Sequence, residues 1–213
     1  MVFDKQKTVF ISGSAYEYGT FGESGQIFIR DLTTSLLRHN FKVISGFGMG
    51  VGNYVIESAL TEIYLEKKER STDYLRVYPF PIPLEQNLDG TLPARAGTIH
   101  QHYRDDMLSG AGIAIFLFGN KLEDICIREA DGMWKEFEIA RSNGSVLIPV
   151  GASGYAAGKI WRRLMDQYDS YFNDRKSFSL FERLGNQDLP PDLLIDTILR
   201  IAKNETETYI HQL

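Results

Sequence analysis

Seven consecutive residues, Gly112-Ile113-Ala114-Ile115-Phe116-Leu117-Phe118, carry no polar side chain. A strand with one wet face alternates apolar and polar residues, so an unbroken apolar run marks a strand covered on both faces. That is the condition of a central parallel strand with helices on either side. Such a strand needs neighbours, and the chain supplies them in alternation. Thr8 to Ile11 predicts a strand ending at Ser12-Gly13-Ser14-Ala15, followed by a helix from about Gln26 to His39 with Phe28, Leu32 and Leu36 on one face. Lys42 to Ser45 predicts the second strand, and Val51, Val55, Ala59, Leu60 and Ile63 recur at helical spacing after it.

Leu75 to Phe80 reads as a third strand, stopped by Pro79, Pro81 and Pro83, and residues 84 to 97 read as one long irregular segment. Helical signal returns from about Ile99 to Leu108, ahead of the apolar run. A helix from Met133 to Arg141, a strand from Val146 to Val150, a helix from Lys159 to Tyr171 and a helix from Pro191 to Lys203 complete the pattern. Strand and helix alternate throughout, which predicts a Rossmann-like, doubly wound α/β fold with a mainly parallel sheet. With 213 residues and 43% hydrophobic content, one core and a single domain over residues 1–213 are expected.

Charge and composition exclude several classes. The net charge of −5 gives no basic footprint for nucleic acid, and no apolar run is long enough to span a membrane or serve as a signal peptide. A soluble, cytoplasmic protein is expected. Cys126 is the single cysteine, so no intrachain disulfide can form, and the i, i+2 spacing of His100 and His102 points them to different sides of a helix. Neither a metal nor a bound cofactor is expected.

In a doubly wound fold the strand-to-helix loops share one edge of the sheet, where ligands bind. There the chain places Ser12 to Ser14, Gly46-Phe47-Gly48-Met49-Gly50-Val51-Gly52, Phe80 with its prolines, Gly119-Asn120-Lys121, and a turn at Gly132. Glycines let backbone approach a ligand closely, and the first amides of the following helix suit an anion, so the glycine turn reads as a phosphate cradle. Its spacing is neither the dinucleotide fingerprint nor a Walker A loop, and a plain tight turn uses the same residues. Ser14 can bond a phosphate or ribose hydroxyl, Lys121 can sit over a pyrophosphate, and Arg104 can hold a phosphate with two donors. Each has an ordinary alternative: Lys121 as an exposed loop lysine, Arg104 in a local pair with Asp105 or Asp106. Glu136 and Glu138 begin a helix, where the helix dipole favours carboxylates with no function attached.

Taken in order, Ser12-Gly13-Ser14, Gly46 to Gly52, Tyr103-Arg104-Asp105-Asp106-Met107, Gly119-Asn120-Lys121, Gly132 to Ala140 and Val150-Gly151-Ala152-Ser153-Gly154-Tyr155 resemble the SLOG superfamily. The resemblance spans Thr8 to Gly154 and is closer to the sensor domains of Thoeris antiviral NADases, in which a sirtuin-like domain precedes the SLOG domain. It implies a domain that binds a cyclic ADP-ribose isomer made by a TIR protein and thereby switches on NAD cleavage in the attached effector. It implies that Ser14, Arg104, Lys121 and Glu136 contact the ligand. Gly13, Gly48, Met49, Gly50, Val51, Gly52, Gly119 and Asn120 would then approach it from the turns. No catalytic residue is implied. The catalytic LOG-type phosphoribohydrolases of the superfamily carry Pro-Gly-Gly-x-Gly-Thr before the helix glutamates, where this chain has Glu129-Ala130-Asp131-Gly132-Met133-Trp134. A nucleoside 5′-monophosphate phosphoribohydrolase is therefore the alternative, with Glu136 or Glu138 stabilising an oxocarbenium-like state. The effector logic also implies a homo-oligomer, and Trp161, Leu164, Tyr168, Tyr171 and Phe172 offer either a self-association face or ordinary core.

Overall fold

The computed structural model describes residues 4–67, 70–79, 94–172 and 175–210. Five strands form one parallel sheet: β1 (Thr8–Ser14), β2 (Lys42–Ser45), β3 (Leu75–Val77), β4 (Ile113–Phe118) and, after a separate hairpin, β7 (Val146–Pro149). Their spatial order is β3-β2-β1-β4-β7. The chain thus builds outward from β1 to one edge and then returns to the other side of β1, so the crossovers diverge between β1 and β4. Those two strands pair from Val9 with Ile113 to Ser14 with Phe118. Every residue of β4 is fully buried, as its unbroken apolarity predicts.

Helices α1 (Ser24–Arg38) and α2 (Gly52–Thr61) pack against each other, and α2 runs on into a π-helical turn over Glu62–Lys67. Helices α3 (Ala94–Ser109) and α4 (Asp131–Ser142) form the second pair. Alternation along β1 separates the two layers. Ser12 bonds a side chain of α4, whereas a Cβ on Gly13 would meet Val51 at the start of α2. The sheet is finished by α5 (Tyr155–Asp166), α6 (Tyr168–Tyr171), α7 (Phe178–Arg183) and α8 (Pro191–Ile210), the last lying beside α1.

Several expectations need correction. Helix α3 already begins at Ala94, inside the stretch read as irregular, while Phe80, Pro81, Pro83 and residues 84–93 lie outside the described residues. Gly132 lies in the first turn of α4 rather than ahead of it. Gly119-Asn120-Lys121 is not a simple loop, because Asn120 starts the antiparallel hairpin β5 (Asn120–Glu123) and β6 (Cys126–Glu129). The expected helix from Lys159 to Tyr171 is two helices that part at Gln167, and the first starts earlier, capped by Gly154 at φ 73°. This break turns Tyr168 inward. Leu164 and Tyr168 are buried, and the Tyr168 ring meets Phe172, Phe178 and Phe181 at centroid distances of 4.7, 4.9 and 5.6 Å. Leu164 and Tyr168 are therefore core, while Trp161, Tyr171 and Phe172 are half-buried and pack against it.

Candidate functional site

A cavity of about 350 Å³ opens at the carboxyl edge of the sheet, lined by Phe10 to Gly13 on β1, Gly46 to Gly48 after β2, Pro79 after β3 and Glu136 on α4. Its volume suits a small-molecule ligand. Ser12 and Glu136 form its polar wall. The Ser12 hydroxyl donates to Glu136 Oε2 at 2.6 Å, and both residues are buried. On the other carboxylate oxygen, Arg104 Nε stands 3.6 Å away, an ion-pair distance. Burial pushes the Glu136 carboxyl above its ordinary value, against the opposing pull of the Ser12 hydroxyl and the Arg104 charge. Arg104 also lies along the start of α4, where a Cβ on Gly132 would come 3.1 Å from its Nη2. Arg104 is therefore turned toward Glu136 and the start of α4. Tyr103, one residue earlier, donates to the Pro79 carbonyl at 2.8 Å and ties α3 to the end of β3.

The glycine turn is built against protein backbone. A Cβ on Gly48 would stand 1.9 Å from the Gly13 carbonyl oxygen, and one on Gly50 1.9 Å from that of Ala15. The Ala15 amide donates to the Met49 carbonyl at 2.8 Å, and the Tyr18 hydroxyl to the Gly50 carbonyl at 2.8 Å. Val51 is buried and Gly52 opens α2, while Met49 is exposed. Close approach is thus the reason for these glycines, with the loop after β1 as the neighbour.

Asn120 is completely buried. Its Oδ1 accepts from the amides of Tyr16 at 2.9 Å and Glu17 at 3.1 Å, and its Nδ2 donates to the Glu17 carbonyl at 2.9 Å. The Asn120 side chain thus holds the loop after β1 in place. Ser14 belongs to the same brace, donating to the Asn120 carbonyl at 3.1 Å, and Gly119 at φ 94° turns the chain out of β4. From the far side Tyr155 bonds Glu17, and burial together with that carboxylate raises the Tyr155 hydroxyl to about 12. Lys121 stands on the hairpin between Glu123 at 3.3 Å and Asp131 at 3.4 Å, with 39% of its side chain exposed. Glu138 points away from the cavity, paired with Arg163 at 2.7 Å and Arg141 at 3.7 Å. The cleft thus gathers Gly13, Gly48 and Glu136, with Arg104 on the carboxylate; Ser14, Gly119 and Asn120 frame it, and Lys121 lies outside its lining.

Ser12, Phe47 and Pro79 line the cleft without having been singled out as contacts. A serine following three apolar strand residues is the available signal, because a buried hydroxyl needs a partner. Among the described residues no group of three His, Cys, Asp or Glu side chains is arranged to hold a metal, and no helix is long and apolar enough to cross a membrane.

Five parallel strands, helices in pairs on both faces and a cleft at the strands' carboxyl edge define a Rossmann-like α/β domain of the SLOG type. The chain belongs to the Sir2- and TIR-associating SLOG family, whose pattern it matches over residues 3–205. It is 36% identical over 202 residues to the NAD(+) hydrolase ThsA of Bacillus cereus (strain MSX-D12), covering 93% of this chain and 40% of that protein. It is likewise 36% identical over 208 residues to the NAD(+) hydrolase ThsA of Acinetobacter baumannii (strain 532279), covering 92% of this chain and 42% of the relative. With the Enterococcus faecium protein of the same name it shares 31% identity over 186 residues, covering 85% of this chain and 36% of the relative. The chain therefore spans about 40% of the length of the curated relatives it matches.

Proposed function

We propose that this domain is a regulatory sensor that binds a cyclic ADP-ribose isomer in the cleft between the ends of β1 and β2 and controls an NAD-cleaving, sirtuin-like effector domain. The observation that carries the reading is the Ser12–Glu136 pair on the wall of the cavity, with Arg104 on the same carboxylate. A carboxylate oxygen accepts from ribose or adenine donors, and a guanidinium beside that carboxylate suits a pyrophosphate. Association of the family with Sir2-type domains supports the effector half of the reading. The messenger would originate from a TIR protein, and a change in subunit packing would carry the signal in the cytoplasm.

One observation favours a phosphoribohydrolase instead: a buried carboxyl raised above its ordinary value is a property of acid catalysts. Against it, α4 starts at Asp131 where the catalytic relatives carry a glycine-rich loop. Calorimetric titration with cyclic ADP-ribose isomers and with AMP, alongside an assay for released base, tests the two readings. Saturable binding of an isomer with no base release is expected. Base release abolished by Glu136→Gln would establish the hydrolase.

A further inference from the structure

We propose that Phe47 is the stacking platform for the ligand's purine base, an inference that rests on the nucleotide-sensor reading and adds which end of the nucleotide lies where. Phe47 lines the cavity with Gly46, Gly48 and Pro79, and 51% of the residue is exposed. Core packing therefore does not account for an aromatic ring at this position. The backbone makes the choice more telling, since Phe47 holds φ at 59°, in the left-handed region where glycine is the unstrained residue. The surroundings accommodate that conformation. A Cβ on Gly52 would lie 2.5 Å from the Phe47 Cα, so the glycine leaves room for it, and the Phe47 amide donates to Ser45 Oγ at 3.4 Å. A bulky residue is thus kept, under strain, in a turn already rich in glycine, and strain of this kind concentrates where a ligand is held.

The cleft is polarised around that ring. At its inner wall the polar groups of Ser12 and Glu136 stand among buried Phe10 and Ile11, and at its mouth stand the exposed Phe47 and Pro79. A ligand matching both ends is polar and hydroxyl-bearing at one end and flat and π-faced at the other, which describes a nucleotide with its ribose inside and its base at the mouth. Phenylalanine has no hydrogen-bonding group with which to read a base edge. Discrimination at Phe47 therefore follows stacking area, which favours purines.

The test is calorimetry and thermal melting of the full chain with ADP-ribose as the probe, on wild type, Phe47→Leu, Phe47→Tyr and Phe47→Gly. Phe47→Leu, which keeps apolar bulk without a π face, is expected to weaken binding by about five- to a hundredfold at an unchanged melting temperature. Phe47→Tyr should retain wild-type affinity. Phe47→Gly should lose affinity while melting at the same or a higher temperature, because the left-handed strain is relieved. Wild-type affinity in Phe47→Leu, or affinity lost only in step with melting temperature, overturns the stacking role and spares the sensor reading. Failure of wild type to bind ADP-ribose or any cyclic isomer overturns both.

Discussion

Arg104 and Lys121 were equivalent cations in the linear sequence, and their surroundings now separate them. The Arg104 side chain is 13% exposed and bears on Glu136, whereas Lys121 is 39% exposed and already lies between two carboxylates. A charge-assisted hydrogen bond contributes about 1.5–3 kcal/mol, so Arg104→Ala should weaken binding of a cyclic ADP-ribose isomer tenfold or more. Lys121→Ala should cost less than tenfold, since any phosphate contact must first displace Glu123 or Asp131; calorimetry that reversed this ranking would move the anion site to the hairpin. Glu136 supplies a second prediction, in pH. Burial raises its folded value above the ordinary 4.5, so the folded state holds the proton more tightly than the unfolded chain. The corresponding stability is present below that ordinary value and is lost as pH rises through the raised one. Wild type should therefore lose stability relative to Glu136→Gln as pH climbs from about 4.5 toward neutrality, measured by urea midpoints. A difference between the two proteins that stays flat across this range would show that the carboxyl is not desolvated.

At the scale of elements, what could be read in advance was whatever a hydrophobic period encodes: the apolar β4, the one-sided α1, and the strand-turn-helix run at β2 and α2. The hairpin β5–β6 was illegible because its turn, Asp124-Ile125, holds φ at 48° and 62° without the glycine or asparagine that normally announces such a turn. Ile125 is 96% exposed and β-branched, so its left-handed backbone carries strain with little burial in return. Ile125→Gly should accordingly raise stability by up to about 1 kcal/mol, visible as a higher denaturant midpoint; a lower midpoint would mean that the side chain packs more tightly than its exposure shows. The glycine turn was legible as a place of close approach, but not as to what approaches. A glycine is required equally whether the neighbour is a phosphate or the carbonyl of Ala15. Gly50→Ala combines a φ of 73° with a contact at 1.9 Å and should destabilise by about 2 kcal/mol or more. Gly144→Ala, at φ 68° with nothing within 4 Å, should cost only about 1 kcal/mol. Equal melting temperatures for the two variants would remove the packing argument. The brace that Asn120 makes was not legible, because a composition of donors and acceptors does not say whether loop or ligand uses them.

For the whole molecule, the braces around the cleft constrain how binding can be transmitted. The loop after β1 is tied to the glycine turn through Ala15 and Tyr18, to β5 through Asn120 and to α5 through Tyr155. On the proposed sensor reading, a ligand in the cleft would bear on all of these elements together, which favours a shift of whole elements over the refolding of one loop. A messenger can move such an equilibrium only by binding one arrangement more tightly than the other. Two measurements on this chain follow. Ligand at a hundred times its Kd should add about 2.7 kcal/mol to stability, a rise in Tm of roughly 5–10 °C for a domain of this size. Light scattering with and without the cyclic ADP-ribose isomer should also show a change of assembly, to which Leu164 and Tyr168, sealed in the core, can contribute no contact. Ligand-induced melting shifts with an unchanged scattering mass would keep the sensor and discard the rearrangement of subunits, placing the signal in the contact between this domain and its effector.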